Sequence, residues 1–127
     1  MTAQLEHVNF TVSDPDASAR WLCDVFGWKI RWQGAAKDDG RTLHVGGDDS
    51  YVALYTPRTA PQKAKTSRYE TIGGMNHVAV VVDDLDGTEA RVRDAGFTPV
   101  NHADYEPGRR FYFLDHDGIE FEVVSYA

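Results

Sequence analysis

Residues 5–28 read LEHVNFTVSDPDASARWLCDVFGW, and residues 75–98 read MNHVAVVVDDLDGTEARVRDAGFT. Shifted by 70 residues, His7 falls on His77, Val8 on Val78, and Asp14 and Asp16 on Asp84 and Asp86. With one residue deleted, Gly27 falls on Gly96. Self-similarity of this kind marks two structural units related by internal symmetry. Two symmetry-related histidines and a late carboxylate, Glu122, meeting at the junction of such units would make the ligand set of an open, catalytic metal site.

Each half reads locally in the same order. Over 5–12, Val8, Phe10 and Val12 alternate with His7, Asn9 and Thr11, the period of a strand with one apolar and one polar face. Ser13-Asp14-Pro15-Asp16 then opens a helix, with a capping oxygen, a proline suited to the first turn and acids near the N-terminus. Ala17, Trp21, Leu22, Val25 and Phe26 recur at helical spacing, and Gly27 ends the helix. A strand is expected over 28–33, a polar loop over 34–40, and a hairpin from strands 41–45 and 51–56 around Gly46-Gly47-Asp48-Asp49. The second half repeats the order. A strand over 75–82 places Met75, His77, Ala79 and Val81 on one face, and a helix capped by Asp83-Asp84 runs to Gly96. Strands follow over 97–101, 110–114 and 119–126, with a loop over 103–108 and a turn over 115–118. The fold class expected is α+β, as two βαβββ modules. The chain is one domain over 1–127, with module 1 at 1–56, a linker at 57–74 and module 2 at 75–127. The linker has two prolines, several charges and no periodicity, and its length would let modules pair between chains.

Bulk properties narrow the function. At 127 residues the chain makes one compact domain or two half-size units. No apolar run is long enough to cross a bilayer, and no leader is evident, so no membrane partner is expected. The single Cys23 excludes an internal disulfide and fits a reducing cytoplasm. A net charge of −7 argues against nucleic acid as a partner, because phosphate binding needs a basic face. The partner expected is a small-molecule substrate.

A lone histidine on a strand is more often packed or hydrogen-bonded than a ligand, but the repeat puts both His7 and His77 opposite the apolar strand face. Glu122 lies opposite Phe121 and Val123. A carboxylate on an inner sheet face is costly unless paired or bound to a cation; on an outer face it would simply be solvated.

The stretch Phe111-Tyr112-Phe113-Leu114-Asp115-His116-Asp117-Gly118-Ile119-Glu120-Phe121-Glu122, with the two histidine strands, resembles the vicinal oxygen chelate superfamily. That superfamily includes glyoxalase I, fosfomycin-resistance thiol transferases, bleomycin-resistance proteins and extradiol dioxygenases. The resemblance covers almost the whole chain, with His116 in place of the usual proline of an Asp-Pro-Asp-Gly turn. It implies curved mixed sheets forming a cleft, and metal ligands at His7, His77 and Glu122. A fourth ligand, where the family has one, would fall at Ala53, which cannot bind metal; this departure counts against glyoxalase I. The remaining triad resembles that of extradiol dioxygenases and fosfomycin-resistance transferases. It leaves open positions on one divalent ion, Fe(II) or Mn(II) first and Ni(II) or Zn(II) as alternatives.

The resemblance implies a catalytic, substrate-contacting role for Tyr112, against a packing role beside Phe111 and Phe113. Asn9 and Arg110 are the further substrate-binding candidates. The acid–base histidine of the dioxygenases is replaced by Ser50 or Tyr51, leaving His44 or His102 as candidate bases. The expected function is a metal-dependent dioxygenase, with a lyase or thiol transferase as the alternative. A homodimer is expected, its modules exchanged between chains as one option. The contrasting expectation is a metal-free, bleomycin-resistance-type binder, its cleft lined by Trp28, Trp32, Tyr51 and Tyr55.

Overall fold

The computed structural model describes residues 1–105 and 107–127, and the chain divides into two compact units, Met1–Gln62 and Lys63–Ala127. Each unit is a four-stranded mixed sheet with one helix against it.

In the first unit the elements are β1 (His7–Thr11), α1 (Pro15–Phe26), β2 (Lys29–Ala36), β3 (Gly40–Gly46) and β4 (Tyr51–Thr56). The sheet order is β1-β4-β3-β2; β1 runs parallel to β4 and the other pairs are antiparallel. Helix α1 starts where the sequence places it. The Asp14 carboxylate accepts from the amides of Asp16 and Ala17, and Gly27 ends the helix at φ 69°. The face turned to the sheet is Pro15, Ser18, Ala19, Leu22 and Val25, with Trp21 beside it. Ser18 and Ala19 therefore take the place expected for Ala17. These side chains meet Leu43, Val45, Val52 and Leu54, all nearly or fully buried.

The second unit contains β5 (Val78–Val81), α2 (Leu85–Asp94), β6 (Val100–Tyr105), β7 (Gly108–Leu114) and β8 (Glu120–Ser125), in sheet order β5-β8-β7-β6. β5 is parallel to β8, as β1 is to β4. Asp84 caps α2, which rests on β8 through Leu85, Thr88 and Val92. The core is aromatic: Phe113 stacks on Phe121 at 5.4 Å and on Phe97 at 5.8 Å, and Phe111 and Val123 are sealed beside them.

The α+β class and the βαβββ order of each half are as expected; several strand ends are not. β2 continues through Gly34, Ala35 and Ala36, where a loop was expected, because these residues keep pairing with β3 down to Ala36 opposite Gly40. The reversal falls on Asp38 and Asp39 at φ 58° and 54°, a backbone region that aspartate tolerates better than most residues. β5 is shorter than the strand expected over 75–82, so His77 sits just before it rather than within it. β6 runs over Val100–Tyr105 instead of 97–101, since its pairing partners on β7 are Tyr112, Arg110, Arg109 and Gly108. Of the loop expected over 103–108, Glu106 lies outside the described residues. Between Thr56 and Val78 the regular structure is one 3-10 turn, Arg68–Glu70, within the second unit.

Phe113→Ala should cost about 3–5 kcal/mol, the range for truncating a sealed aromatic side chain. Asp14→Ala should cost about 1 kcal/mol, the usual loss of an N-cap. Urea unfolding of each variant checks both; equal, small shifts would contradict the packing described.

Candidate metal and substrate site

In the second unit one face of the sheet carries the chemistry. β8 alternates, so Phe121 and Val123 enter the aromatic core while Glu120, Glu122 and Val124 face the other way. The pairing sets Tyr112 of β7 on one side of Glu122 and Ala79 of β5 on the other. His77, two residues before Ala79, has the same parity. The turn before β8 fixes this register. Buried Asp115 accepts from the amides of Asp117 and Ile119, both at 2.9 Å, and Gly118 turns the chain at φ 76°. Loss of water contact pushes the Asp115 carboxyl up, against the pull of those two amides.

Glu122 is only 7% exposed, so the solvated alternative is removed. Its two oxygens have separate partners. Arg110 Nη1 donates to Oε2 at 2.9 Å, and His77 Nε2 lies 3.2 Å from Oε1. Tyr112 meets the His77 ring edge-on at 5.9 Å. Burial first, then the charge of Glu122, raises the Tyr112 hydroxyl above the usual phenol range, so it stays a donor at neutral pH. Arg110 lies in β7, half-buried, with its guanidinium 5.0 Å over the Tyr105 ring. Its buried Nε meets no acceptor among the described residues. Arg109, by contrast, reaches out to Asp86 on α2.

Behind His77 stands a group that the sequence did not single out. Tyr69, from the 3-10 turn of the supposed linker, donates its hydroxyl to Glu120 Oε2 at 2.5 Å and lies 3.3 Å from His77 Nδ1. Arg68 joins it, bonding the Asn76 carbonyl at 2.9 Å and Glu120 at 3.4 Å. A periodicity argument cannot find these residues, because the segment has none. Glu120 shares the parity of Glu122, and that was its one visible signal.

In the first unit the register gives each position a counterpart. Ala53 pairs with Asn9 as Glu122 pairs with Ala79, so Ala53 occupies the place of Glu122. His44 pairs with Ala53 as Tyr112 pairs with Glu122. This sheet therefore offers His7 and no carboxylate at that place. His7 Nδ1 is 2.8 Å from Glu6 Oε1, which also accepts from the Tyr51 hydroxyl at 3.3 Å. The rings of His7, Tyr51 and His44 stack at 4.5–4.8 Å, and Trp32 meets His44 at 5.1 Å. Asn9 is exposed on the same strand as His7. Burial, then the neighbouring His7, holds His44 below the usual imidazole range. Of the aromatics expected to line a cleft, Trp32, Tyr51 and Tyr55 share this face, whereas Trp28 packs on Phe26 at 5.1 Å. His102 lies 2.7 Å from Glu89 of α2 and stacks on Phe111, on the helix side of its sheet, away from Glu122.

The donors of the second unit suit a divalent ion. Two ligands held at about 2.1 Å from one ion stand about 3.0 Å apart at a right angle and about 3.4 Å apart at the tetrahedral angle. The 3.2 Å between His77 Nε2 and Glu122 Oε1 falls between them. Among the described residues no three His, Cys, Asp or Glu groups gather in a metal-holding arrangement. No helix is long and apolar enough to cross a membrane, among the described residues.

Arg110→Met should strip Glu122 of its cation and destabilise the metal-free protein by about 3 kcal/mol, at the low end for breaking a buried pair because both side chains keep slight exposure. Unfolding monitored by circular dichroism measures this. A change within 0.5 kcal/mol, roughly the range of an ordinary surface substitution, would mean that the pair holds nothing.

A search of curated proteins finds no match. Among solved structures, a glyoxylase/bleomycin resistance protein/dioxygenase domain from Frankia sp. EAN1pec superposes with a TM-score of 0.83 at 22% identity, covering 98% of this chain and 93% of that one. The fosfomycin resistance protein FosX from Mesorhizobium loti gives 0.70 at 25% identity, covering 98% and 92%. FosX from Listeria monocytogenes, crystallised with Mn(II) and a sulfate ion, gives 0.71 at 17% identity, covering 98% and 93%. The model of one protein family matches residues 4–123, and the chain belongs to that family, the Glyoxalase/Bleomycin resistance protein/Dioxygenase superfamily.

Proposed function

We propose that the protein is a divalent-metal enzyme acting on a small substrate that chelates through adjacent oxygens. His7 of the first unit and His77 and Glu122 of the second are its ligands. The observation that carries this reading is the pair His77 Nε2 and Glu122 Oε1, 3.2 Å apart, with Glu122 buried. The Mn(II) bound by the Listeria FosX supports the choice of ion. When bound, the ion would supply Lewis acidity and a template for the substrate oxygens.

The chain's own residues would do the rest. Arg110 holds one oxygen of Glu122 and leaves the other to the ion. Tyr112, kept protonated, donates a hydrogen bond to charge developing on a substrate oxygen. Arg110, whose guanidinium stands beside Glu122, is also the proposed contact for an anionic substrate group. Asn9, with the parity of His7, is a further substrate contact. Ring cleavage of the extradiol type is the first reaction class, because with Ala53 in the fourth-ligand place the set is two histidines and one carboxylate, leaving room for substrate and O₂. Lyase or thiol-transfer chemistry of the glyoxalase or fosfomycin-resistance kind is the alternative.

A second reading is favoured by one observation. Because Arg110 already neutralises Glu122, the carboxylate does not need an ion to be buried. A metal-free binder of the bleomycin-resistance type fits that fact.

Metal analysis separates the two. The full-length protein reconstituted with Fe(II) or Mn(II) should hold about one ion per chain. His7→Ala and Glu122→Ala should each weaken binding by 100-fold or more, on the order of the loss expected from removing one of three ligands. The loaded protein would then be assayed for O₂ uptake with catechols and for addition of glutathione or water to an epoxide. Failure to bind any divalent ion would favour the binder.

Mixing the two inactive variants reads the assembly. If the ligands come from two copies in an exchanged dimer, a mixed dimer regains one intact site and part of the activity. If they come from one chain, mixing restores nothing.

A further inference from the structure

His7 and His77 share a feature that the 70-residue repeat does not explain. Each has Nδ1 against a glutamate that also takes a tyrosine hydroxyl from the same unit. In the first unit these are Glu6 and Tyr51; in the second, Glu120 and Tyr69. The repeat places Asn76, not a glutamate, at the position of Glu6. The two partners have also exchanged places. Tyr51 belongs to the last strand of its sheet and Glu6 to the chain just before β1. Glu120 belongs to the last strand of the other sheet, and Tyr69 comes from the chain before β5. Different positions thus meet the same ring nitrogen with the same two groups.

Counting hydrogens assigns the tautomers. An ionised carboxylate only accepts, so at 2.8 Å from Glu6 the Nδ1 of His7 must donate. Tyr69 has one hydroxyl hydrogen, and it goes to Glu120. Its oxygen therefore turns a lone pair toward His77 Nδ1 at 3.3 Å, and Glu120 Oε2, also at 3.3 Å, presents another acceptor. The one contact of the His77 ring with hydrogen-bond geometry is that of Nδ1 with the Tyr69 oxygen, so the hydrogen of a neutral ring is assigned to Nδ1. Nε2 then carries a lone pair, and that lone pair faces Glu122 Oε1 at 3.2 Å. That contact opposes the Nδ1–H form in the metal-free protein, and the Tyr69–Glu120 pair is what holds the form against it.

We infer that Glu6 with Tyr51, and Glu120 with Tyr69, are positioning pairs that hold His7 and His77 as Nδ1–H tautomers and present Nε2 of each as the ligating atom. The role in ligation rests on the metal reading above; the tautomer assignment does not. Backing of a metal-bound imidazole by a carboxylate raises its basicity and fixes its orientation. Here a tyrosine fixes the carboxylate in turn. The second pair is the stronger, since the Glu120 side chain is 20% exposed and that of Glu6 is 67% exposed.

The test uses the metal-free, full-length protein and reads the imidazole nitrogens by long-range proton–nitrogen NMR, at a pH where the rings are neutral. The parent should show His77 with its hydrogen on Nδ1. Glu120→Ala releases the Tyr69 hydrogen toward Nδ1, so His77 should change to the Nε2–H form and donate to Glu122. Mn(II) affinity, measured by electron paramagnetic resonance, should fall about 10–100-fold. Adding Tyr69→Phe to Glu120→Ala removes the competing donor and should recover part of that affinity, whereas a merely structural loss would deepen with the second truncation. Glu6→Ala should act on His7 in the same direction by a smaller factor.

An Nε2–H tautomer in the parent, or an unchanged His77 in Glu120→Ala, overturns the inference. Expected tautomers in a parent that binds no Mn(II) would support the assignment of the ring hydrogens and sink the metal site of the preceding section instead.

Discussion

A carboxylate sealed against a sheet must be given a positive partner, and in this protein much of the second unit is arranged around that requirement. Leaving Glu122 buried and unpaired would cost several kcal/mol, comparable to the stability of a small domain. Arg110 meets one oxygen and His77 approaches the other. The Asp115 turn sets the register of β8, the pairing with β7 brings Tyr112 and Arg110 alongside, and the small side chain of Ala79 leaves room on the remaining flank. Tyr112 owes its raised phenol to loss of water and to the same charge.

The two sheets are alike in topology and unlike in chemistry. The place of Glu122 is Ala53 in the first sheet, and the place of Tyr112 is His44. The polar face of the first sheet carries His7 and His44 but has alanine where the second sheet has its buried acid. It stacks imidazoles and a phenol instead. Duplication of a module supplies matching backbone positions, and side-chain replacement then decides which copy carries charge.

Much of this was legible in the chain. Alternation over 5–12 and 119–126, aspartates before each helix and glycines after them report local backbone preferences, and local preferences survive folding. Strand ends were less legible. Gly34-Ala35-Ala36 has loop composition, yet it is held as strand by partners on β3, and β6 follows β7 rather than its own pattern. For the candidate site, His77, Glu122 and Tyr112 could be singled out because they repeat or resemble. The partners that orient them could not. Arg110 stood in the strand expected over 110–114 and among the substrate-binding candidates, but nothing local tied it to Glu122, and Tyr69 reaches Glu120 across 51 residues of chain, a contact that no local rule encodes.

The turn that carries Tyr69 also bears on how the chain can be cut. By composition, 57–74 is the natural place to separate, permute or refuse the two halves, and any residue in it looks equally suitable. The contacts divide it unevenly. Arg68 and Tyr69 belong to the second half, bound to Asn76, His77 and Glu120, and the compact unit begins at Lys63. A half-protein started at Met75 would contain every residue of the repeat and still arrive without the two side chains that brace its histidine. The modular boundary set by folding thus lies upstream of the one suggested by the repeat, and a splice made by sequence alignment would fall on the wrong side of it.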